Sequence, residues 1–260
     1  MNEEQIDNSS APLLTHLIEL RTRLLYCLAF FISVFALGYY FSTDIYHFLQ
    51  QPLLEQFGAQ NQRRMIYTGL QEAFLTYLKL AFFTALFFSI PLILIQVWRF
   101  LAPGMYEQEK KSFMPLFVMT PVLFTAGAAL AFYVVMPMAW QFFMSFETAG
   151  GNEVIRVELE AKVSEYLSLV IKLILAFGLS FELPVLVLVL AKTGLLTSHT
   201  LKHYRRHAIV IIFLFAAFIT PPDLISQIAL GMPIILLYEV SIYLVSLTEK
   251  RAAKNETAAV

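Results

Sequence analysis

The sequence predicts an all-α membrane protein of six transmembrane helices in a kinked, concave bundle, the last two short and both termini cytoplasmic. Three observations predict it. Of 260 residues, 58% are hydrophobic and 14% charged, with a mean hydropathy of +0.68, outside the range of soluble globular domains. Four apolar stretches, 24–41, 73–98, 113–140 and 166–191, reach spanning length. The last hydrophobic stretch is then cut by the hexapeptide PDLISQ at 222–227, behind Thr220 and Pro221, into two pieces too short to cross about 30 Å of hydrocarbon. Thirteen residues at 208–220 give roughly 20 Å, and 224–237 gives about the same before Glu239 interrupts it. Short spans are accommodated by thinning the bilayer or by shelter among neighbouring helices, so Asp223 at the hairpin tip is expected below the outer headgroups. Polar flanks that simply extend both helices are the alternative. The whole chain, 1–260, reads as a single polytopic membrane domain.

The elements follow in order. Residues 12–23 form an amphipathic helix leading into the first span: Leu13, Leu17, Leu20 and Leu24 make one stripe, while His16, Glu19 and Arg23 follow another. Arg21 and Arg23 precede the first span as in a secretory signal. The stretch outruns such a signal, however, and ends in Tyr39, Tyr40 and Phe41 instead of small residues, so it stays as a helix. The loop 42–72 is long enough for short helices, with turn signals at Gln51-Pro52 and Gly58. A second loop, 141–165, carries Gly150, Gly151 and the acids Glu153, Glu158 and Glu160; the two loops together are expected to form a lid on the outer side. Pro91, Pro115, Pro121, Pro137 and Pro184 either kink spans two to four around a concavity or, as fits Pro115 and Pro137 well, mark span ends. From about 249 the chain is charged and Ala-rich, and a flexible tail is expected.

Orientation follows from Lys and Arg alone. Arg21, Arg23, Arg99, Lys110, Lys111, Lys192, Lys202, Arg205, Arg206, Lys250, Arg251 and Lys254 fall on one side, and only Arg63, Arg64, Arg156 and Lys162 on the other. Both termini are therefore expected in the cytoplasm. Tyr39, Tyr40, Trp98, Tyr106, Tyr133 and Trp140 lie near span ends, where amphipathic rings favour the interface. The single cysteine, Cys27, cannot form a disulfide within the chain, and a net charge of −1 gives no reason to expect nucleic acid. No internal repeat of the kind seen in inverted-repeat transporters is visible.

No P-loop, dinucleotide fingerprint, HExxH or nucleophile elbow occurs, and His16, His47, His199, His203 and His207 lack a metal-ligand arrangement. No enzyme activity, cofactor or metal is expected. Glu19 and Arg23 are four apart, a spacing that suits an ion pair within the helix. A second pair of acids, Glu107 and Glu109, follows Ala102-Pro103-Gly104, and two acids at one membrane face can receive a cationic ligand, because guanidinium binds carboxylate through two parallel hydrogen bonds. Glu182, in the middle of span four, reads as functional because an ionised carboxylate there costs several kcal/mol (on the order of 3) unless paired or neutral. Lys79 is a candidate partner; Lys172, ten residues away on the same helix, is about 15 Å off, and snorkelling is the alternative for both. Gln227 can hydrogen-bond across helices, and Glu239 can pair with Arg205 or Arg206.

Four motifs, His16-Leu17-Ile18-Glu19-Leu20-Arg21, the run FLAPGMYEQEKK at 100–111, Phe181-Glu182-Leu183-Pro184 and TPPDLISQ at 220–227, occur in the order found in the TatC family. The chain resembles that family, the multispanning receptor subunit of the twin-arginine protein translocase, up to about Leu247. The resemblance implies a six-helix protein of the bacterial cytoplasmic (inner) membrane that binds twin-arginine signal peptides of folded cargo. It also implies assembly with the single-span partners TatA and TatB in a homo-oligomeric receptor complex. By resemblance, Glu19 and Glu109 receive the arginine pair, Arg21 shapes that site or contacts anionic headgroups, Glu182 belongs to a polar patch in the bundle, and Gln227, Thr220 and Asp223 meet partner helices. A bridge between helices five and six is the other role open to Gln227. The chain departs from the family at Gln71, where a proline often precedes Glu72, and at Lys110 and Lys111, where arginines are frequent. A proton-coupled secondary transporter using Glu182 is the alternative function.

Overall fold

The computed structural model of the chain describes the backbone of residues 4–57, 64–101, 107–148, 159–219 and 224–258, and their side chains except at 4–16, 98, 101, 107–117, 225–226 and 251–258. Ten helices account for nearly all of it: α1 (Glu4–Tyr40), α2 (Ser42–Phe57), α3 (Glu72–Leu101), α4 (Glu107–Leu130), α5 (Met136–Met144), α6 (Val163–Phe181), α7 (Leu183–Lys192), α8 (Ser198–His203), α9 (Arg205–Ile219) and α10 (Leu224–Ala258). A π turn, Ala131–Val135, joins α4 to α5. No strand forms among the described residues; one isolated bridge pairs Ile66 with Lys162.

Among the described residues, five helical segments are long and apolar enough to cross a membrane: Leu17–Tyr40, Glu72–Val97, Val118–Met144, Val163–Lys192 and Gln227–Lys250. The short helix expected after Arg205 is α9, whose 15 residues give about 22 Å. Its successor corrects the expectation of two short helices. Glu239 does not end α10, which is 35 residues long; it is paired with Arg205 through a two-pronged contact, Nε to Oε1 at 2.7 Å and Nη2 to Oε2 at 2.9 Å. The helix also continues beyond Glu249 to Ala258. Part of its last stretch is anchored, since Glu249 accepts from the Ser198 hydroxyl and, at 2.8 Å, from the Ser198 N–H.

The prolines act in two ways. Pro91 lies inside α3 and Pro115 and Pro121 inside α4, so none of these three ends its helix. Pro137 and Pro184 each stand in the first turn of a new helix, α5 and α7, where a missing N–H costs least. Pro137 is preceded by the π turn, in which the Met136 N–H reaches back five residues to the Ala131 carbonyl; the extra residue makes room for the proline ring. At Pro184 the chain instead breaks between α6 and α7, with Glu182 at the break (φ −77°, ψ −12°). Gly194, in the left-handed region at φ 78°, ends α7, and the Leu195 N–H closes onto the Leu190 carbonyl at 3.0 Å.

Two compact units make up the chain: residues 1–45 with 77–121, and 46–76 with 122–260. In the first, α1 lies antiparallel to α3. Arg23 meets Gln96, the rings of Phe31 and Phe82 meet edge to face at 5.3 Å, and Gly38 lies against Ala81 and Thr84, where a Cβ would come within 3.3 Å of the Ala81 carbonyl oxygen. Few α1 side chains are buried. The second unit holds most of the core, including Phe124, Met136, Val170, Phe177, Leu230 and Val245. Its helices approach through glycine. A Cβ on Gly127 would lie 2.5 Å from the Phe177 carbonyl oxygen, one on Gly178 would lie 2.8 Å from the Phe124 ring, and one on Gly231 3.0 Å from the Phe213 ring.

Candidate functional site

Glu19 and Arg21 are two residues apart on α1, which puts them on opposite sides of the helix. The structure treats them accordingly. Glu19 is partly buried and its Oε1 accepts from Arg23 Nη2 at 2.5 Å and Nε at 3.0 Å, so the pair foreseen within the helix forms. Arg21 is exposed and makes no ion pair among the described residues. The guanidinium of Arg23 has a third engagement: Nη1 donates to Gln96 Oε1 of α3 at 3.0 Å. The three side chains form one chain of hydrogen bonds across the α1–α3 contact, with Arg23 22% and Glu19 34% exposed. Gln96 had no place in the sequence reading, because 73 residues separate it from Arg23 and no local pattern connects them.

Glu109 lies in the first turn of α4, where a carboxylate is favoured by the unpaired N–H groups of the helix start. Its side chain, like that of Glu107, lies outside the described residues, as do Thr220 and Asp223.

Glu182 is buried at the break between α6 and α7, 9% exposed. Its carbonyl accepts the Leu186 N–H at 2.9 Å, so the helix resumes within one turn. Lys172 is exposed on α6 and lines a separate cavity of about 600 Å³ with Glu165, Trp140 and Phe218. Gln227 bridges the last two helices, its Nε2 donating to the Phe213 carbonyl of α9 at 3.0 Å. Of the two roles open to Gln227, the bridge is the one this bond makes.

The residue that sequence reasoning missed is Glu72. Its Oε2 accepts from the Thr68 N–H at 2.8 Å and the Gly69 N–H at 3.1 Å, Oε1 accepts from Ser164 Oγ at 2.5 Å, and Lys162 Nζ lies 3.8 Å away. Beside it, the Ile66 N–H donates to the Ala161 carbonyl and the Val163 N–H to the Ile66 carbonyl, each at 3.0 Å. The loop before α3 is thus clasped to the start of α6. A signal was present, since an acid in the first turn of a helix is favoured by the unpaired N–H groups there. Ser164, 92 residues away, could not be read locally.

Comparison with known proteins gives consistent results. A family model described as Sec-independent protein translocase protein (TatC) matches residues 15–233. The Sec-independent protein translocase protein TatC of Rickettsia prowazekii is 47% identical over 240 residues, which is 92% of this chain and 94% of the relative. That of Escherichia coli is 38% identical over 232 residues, 89% and 87% of the two chains. A solved structure described as the crystal structure of the twin arginine translocase receptor TatC is similar with a TM-score of 0.75 at 33% identity, over 89% of this chain and 98% of that one. The matched region contains Glu19, Glu109, Glu182 and Gln227, and the chain belongs to the TatC family of membrane-embedded protein translocase components.

Proposed function

We propose that the chain is the core receptor of a twin-arginine translocation system, a transport component that binds twin-arginine signal peptides of folded proteins. In this reading it assembles with TatA- and TatB-type single-span partners, and with further copies of itself, for export across the bacterial cytoplasmic membrane. The observation that carries the reading is Glu19, a partly buried carboxylate in the family-matched region that accepts two N–H bonds from one guanidinium. Hydrogen bonds to charged groups contribute about 1.5–3 kcal/mol each, enough for two acids to select a doubly guanidinium-bearing leader. Glu19 and Glu109 hold the arginine pair, and exposed Arg21 contacts anionic headgroups.

The chain acts as one polytopic domain of six spans, counting the short α9, with both termini in the cytoplasm. The Lys and Arg excess on the terminal side supports that orientation. Thr220, Asp223 and the amide oxygen of Gln227 meet partner helices near the short α9, and Glu182 provides a polar position inside the span for the leader or a partner. Depth-dependent fluorescence quenching should place Asp223, which follows the short α9, below the outer headgroups; a label fully in bulk water would discard that placement.

The receptor role is tested by photocrosslinking of a twin-arginine peptide to Glu19→Ala and Glu109→Ala variants. Each should lose the crosslink and leave unchanged the background seen with a peptide lacking the arginines. Unchanged crosslinking in both would reject the assignment.

A further inference from the structure

We propose that Arg23 is an internal competitor for Glu19, occupying the carboxylate that the leader's arginine must take and giving the receptor a built-in means of release. The inference rests on the reading of Glu19 as an arginine receptor. Arg23 offers Glu19 the chemistry a leader arginine would offer: Nε and Nη2 both reach Oε1, at 3.0 and 2.5 Å. A carboxylate oxygen has few acceptor positions, and two are filled by this one side chain. A leader guanidinium that grips both carboxylate oxygens through two parallel bonds needs Oε1, and therefore displaces Arg23 from it.

The exchange is feasible because Arg23 has somewhere to go. Gln96 on α3 already accepts Nη1 at 3.0 Å, and rotation about the flexible arginine stem can turn the guanidinium away from Glu19 while that bond is kept. The pair is also of the weaker kind. Glu19 and Arg23 are four apart on one helix and 34% and 22% exposed, a setting in which ion pairs hold loosely. A leader arginine thus displaces Arg23 at moderate cost, and Arg23 later re-forms its bonds and expels the leader. A receptor that passes its ligand on requires such reversibility, whereas a carboxylate without an internal partner would hold the leader longer.

Removing the competitor and removing its resting place should act in opposite directions. With the full chain in nanodiscs and a fluorescent twin-arginine leader peptide, Arg23→Gln is expected to tighten binding by about 3–10-fold, mostly through slower dissociation, while Gln96→Leu weakens it. Arg23→Lys, which keeps the charge and loses the two-pronged contact, should fall between wild type and Arg23→Gln and guards against misfolding of the neutral variant. In a Glu19→Gln background the Arg23→Gln gain should vanish. Unchanged or weaker binding in Arg23→Gln and Arg23→Lys, with Glu19→Gln still abolishing binding, would overturn the proposal and make Arg23 a support for Glu19. Binding that survives Glu19→Gln would instead remove the receptor role of Glu19, and the competitor with it.

Discussion

Glu19 and Glu72 are both helix-borne glutamates that pair with a cation, yet their surroundings differ. Glu72 accepts two backbone N–H groups and a hydroxyl, with Lys162 nearby, and its side chain is 12% exposed. Glu19 is 34% exposed, and it accepts two N–H groups from one long side chain, Arg23. Backbone donors cannot rotate away, and every bond at Glu72 ties it to a fixed position in the chain. Arg23 can rotate. The comparison teaches that a carboxylate satisfied mostly by backbone and hydroxyl serves as a clasp, whereas one satisfied by a displaceable guanidinium can exchange partners. The same contrast runs through the two compact units. One packs α1 sparsely against α3; the other closes around glycines that admit no added carbon.

The largest expected effect breaks the exchangeable side. Glu19→Gln keeps the shape and removes the charge, and should weaken twin-arginine peptide binding by about two orders of magnitude, read by equilibrium titration. Thermal stability should barely change, because a partly exposed pair within one helix contributes little. Next comes the rigid side: Gly127→Ala forces a Cβ to within 2.5 Å of the Phe177 carbonyl oxygen, a backbone atom that cannot step aside. A loss of about 1–3 kcal/mol in unfolding free energy is expected, against a smaller loss for Gly38→Ala, where the nearest atoms lie at 3.2–3.3 Å.

A third variant separates clasp from receptor. Glu72→Gln should raise hydrogen exchange at Ile66 and Val163, whose amide and carbonyl groups form the neighbouring bridge, while peptide affinity stays at the wild-type value. Lost affinity there would mean that the two carboxylates are not as independent as the comparison holds. The smallest effect belongs to Glu239→Gln. Arg205 and Glu239 are 47% and 39% exposed, so their two-pronged contact should contribute no more than about 1 kcal/mol, measurable as a small shift in melting temperature.

Much of this was legible in the sequence for a physical reason. Spanning helices need long apolar runs, and such runs are local, so the four long spans and the short helix before the TPPD segment could be read directly. Glu182 stood out because charge is costly inside a span, and Glu19 because acids gathered at one membrane face can receive a cationic ligand. Partners are not local. Glu239 was readable as a partner for Arg205 or Arg206, and Arg205, 34 residues earlier, is the one that meets it, but the local sequence did not say that the helix runs on past it. Gln96 and Ser164 were invisible for the same reason. The π turn before Pro137 also escaped, since proline announces a difficulty without saying whether the chain resolves it by ending the helix or by widening a turn. Within the candidate site, the acid on α1 and the acid in the first turn of α4 were readable as residues, but the side chain that competes for the first was readable only as a helix-stabilising neighbour.

The central claim is that two acids, Glu19 and Glu109, together hold a pair of guanidinium groups. The most direct measurement is a double-mutant cycle that titrates leader peptides carrying two, one or no arginines against wild type, Glu19→Gln, Glu109→Gln and the double variant. The account predicts that each acid loses its effect when one particular arginine of the leader is replaced, and that the double variant binds the twin-arginine peptide no better than the peptide without arginines. Equal affinity for all three peptides in wild type, or a full preference for two arginines in the double variant, would contradict it.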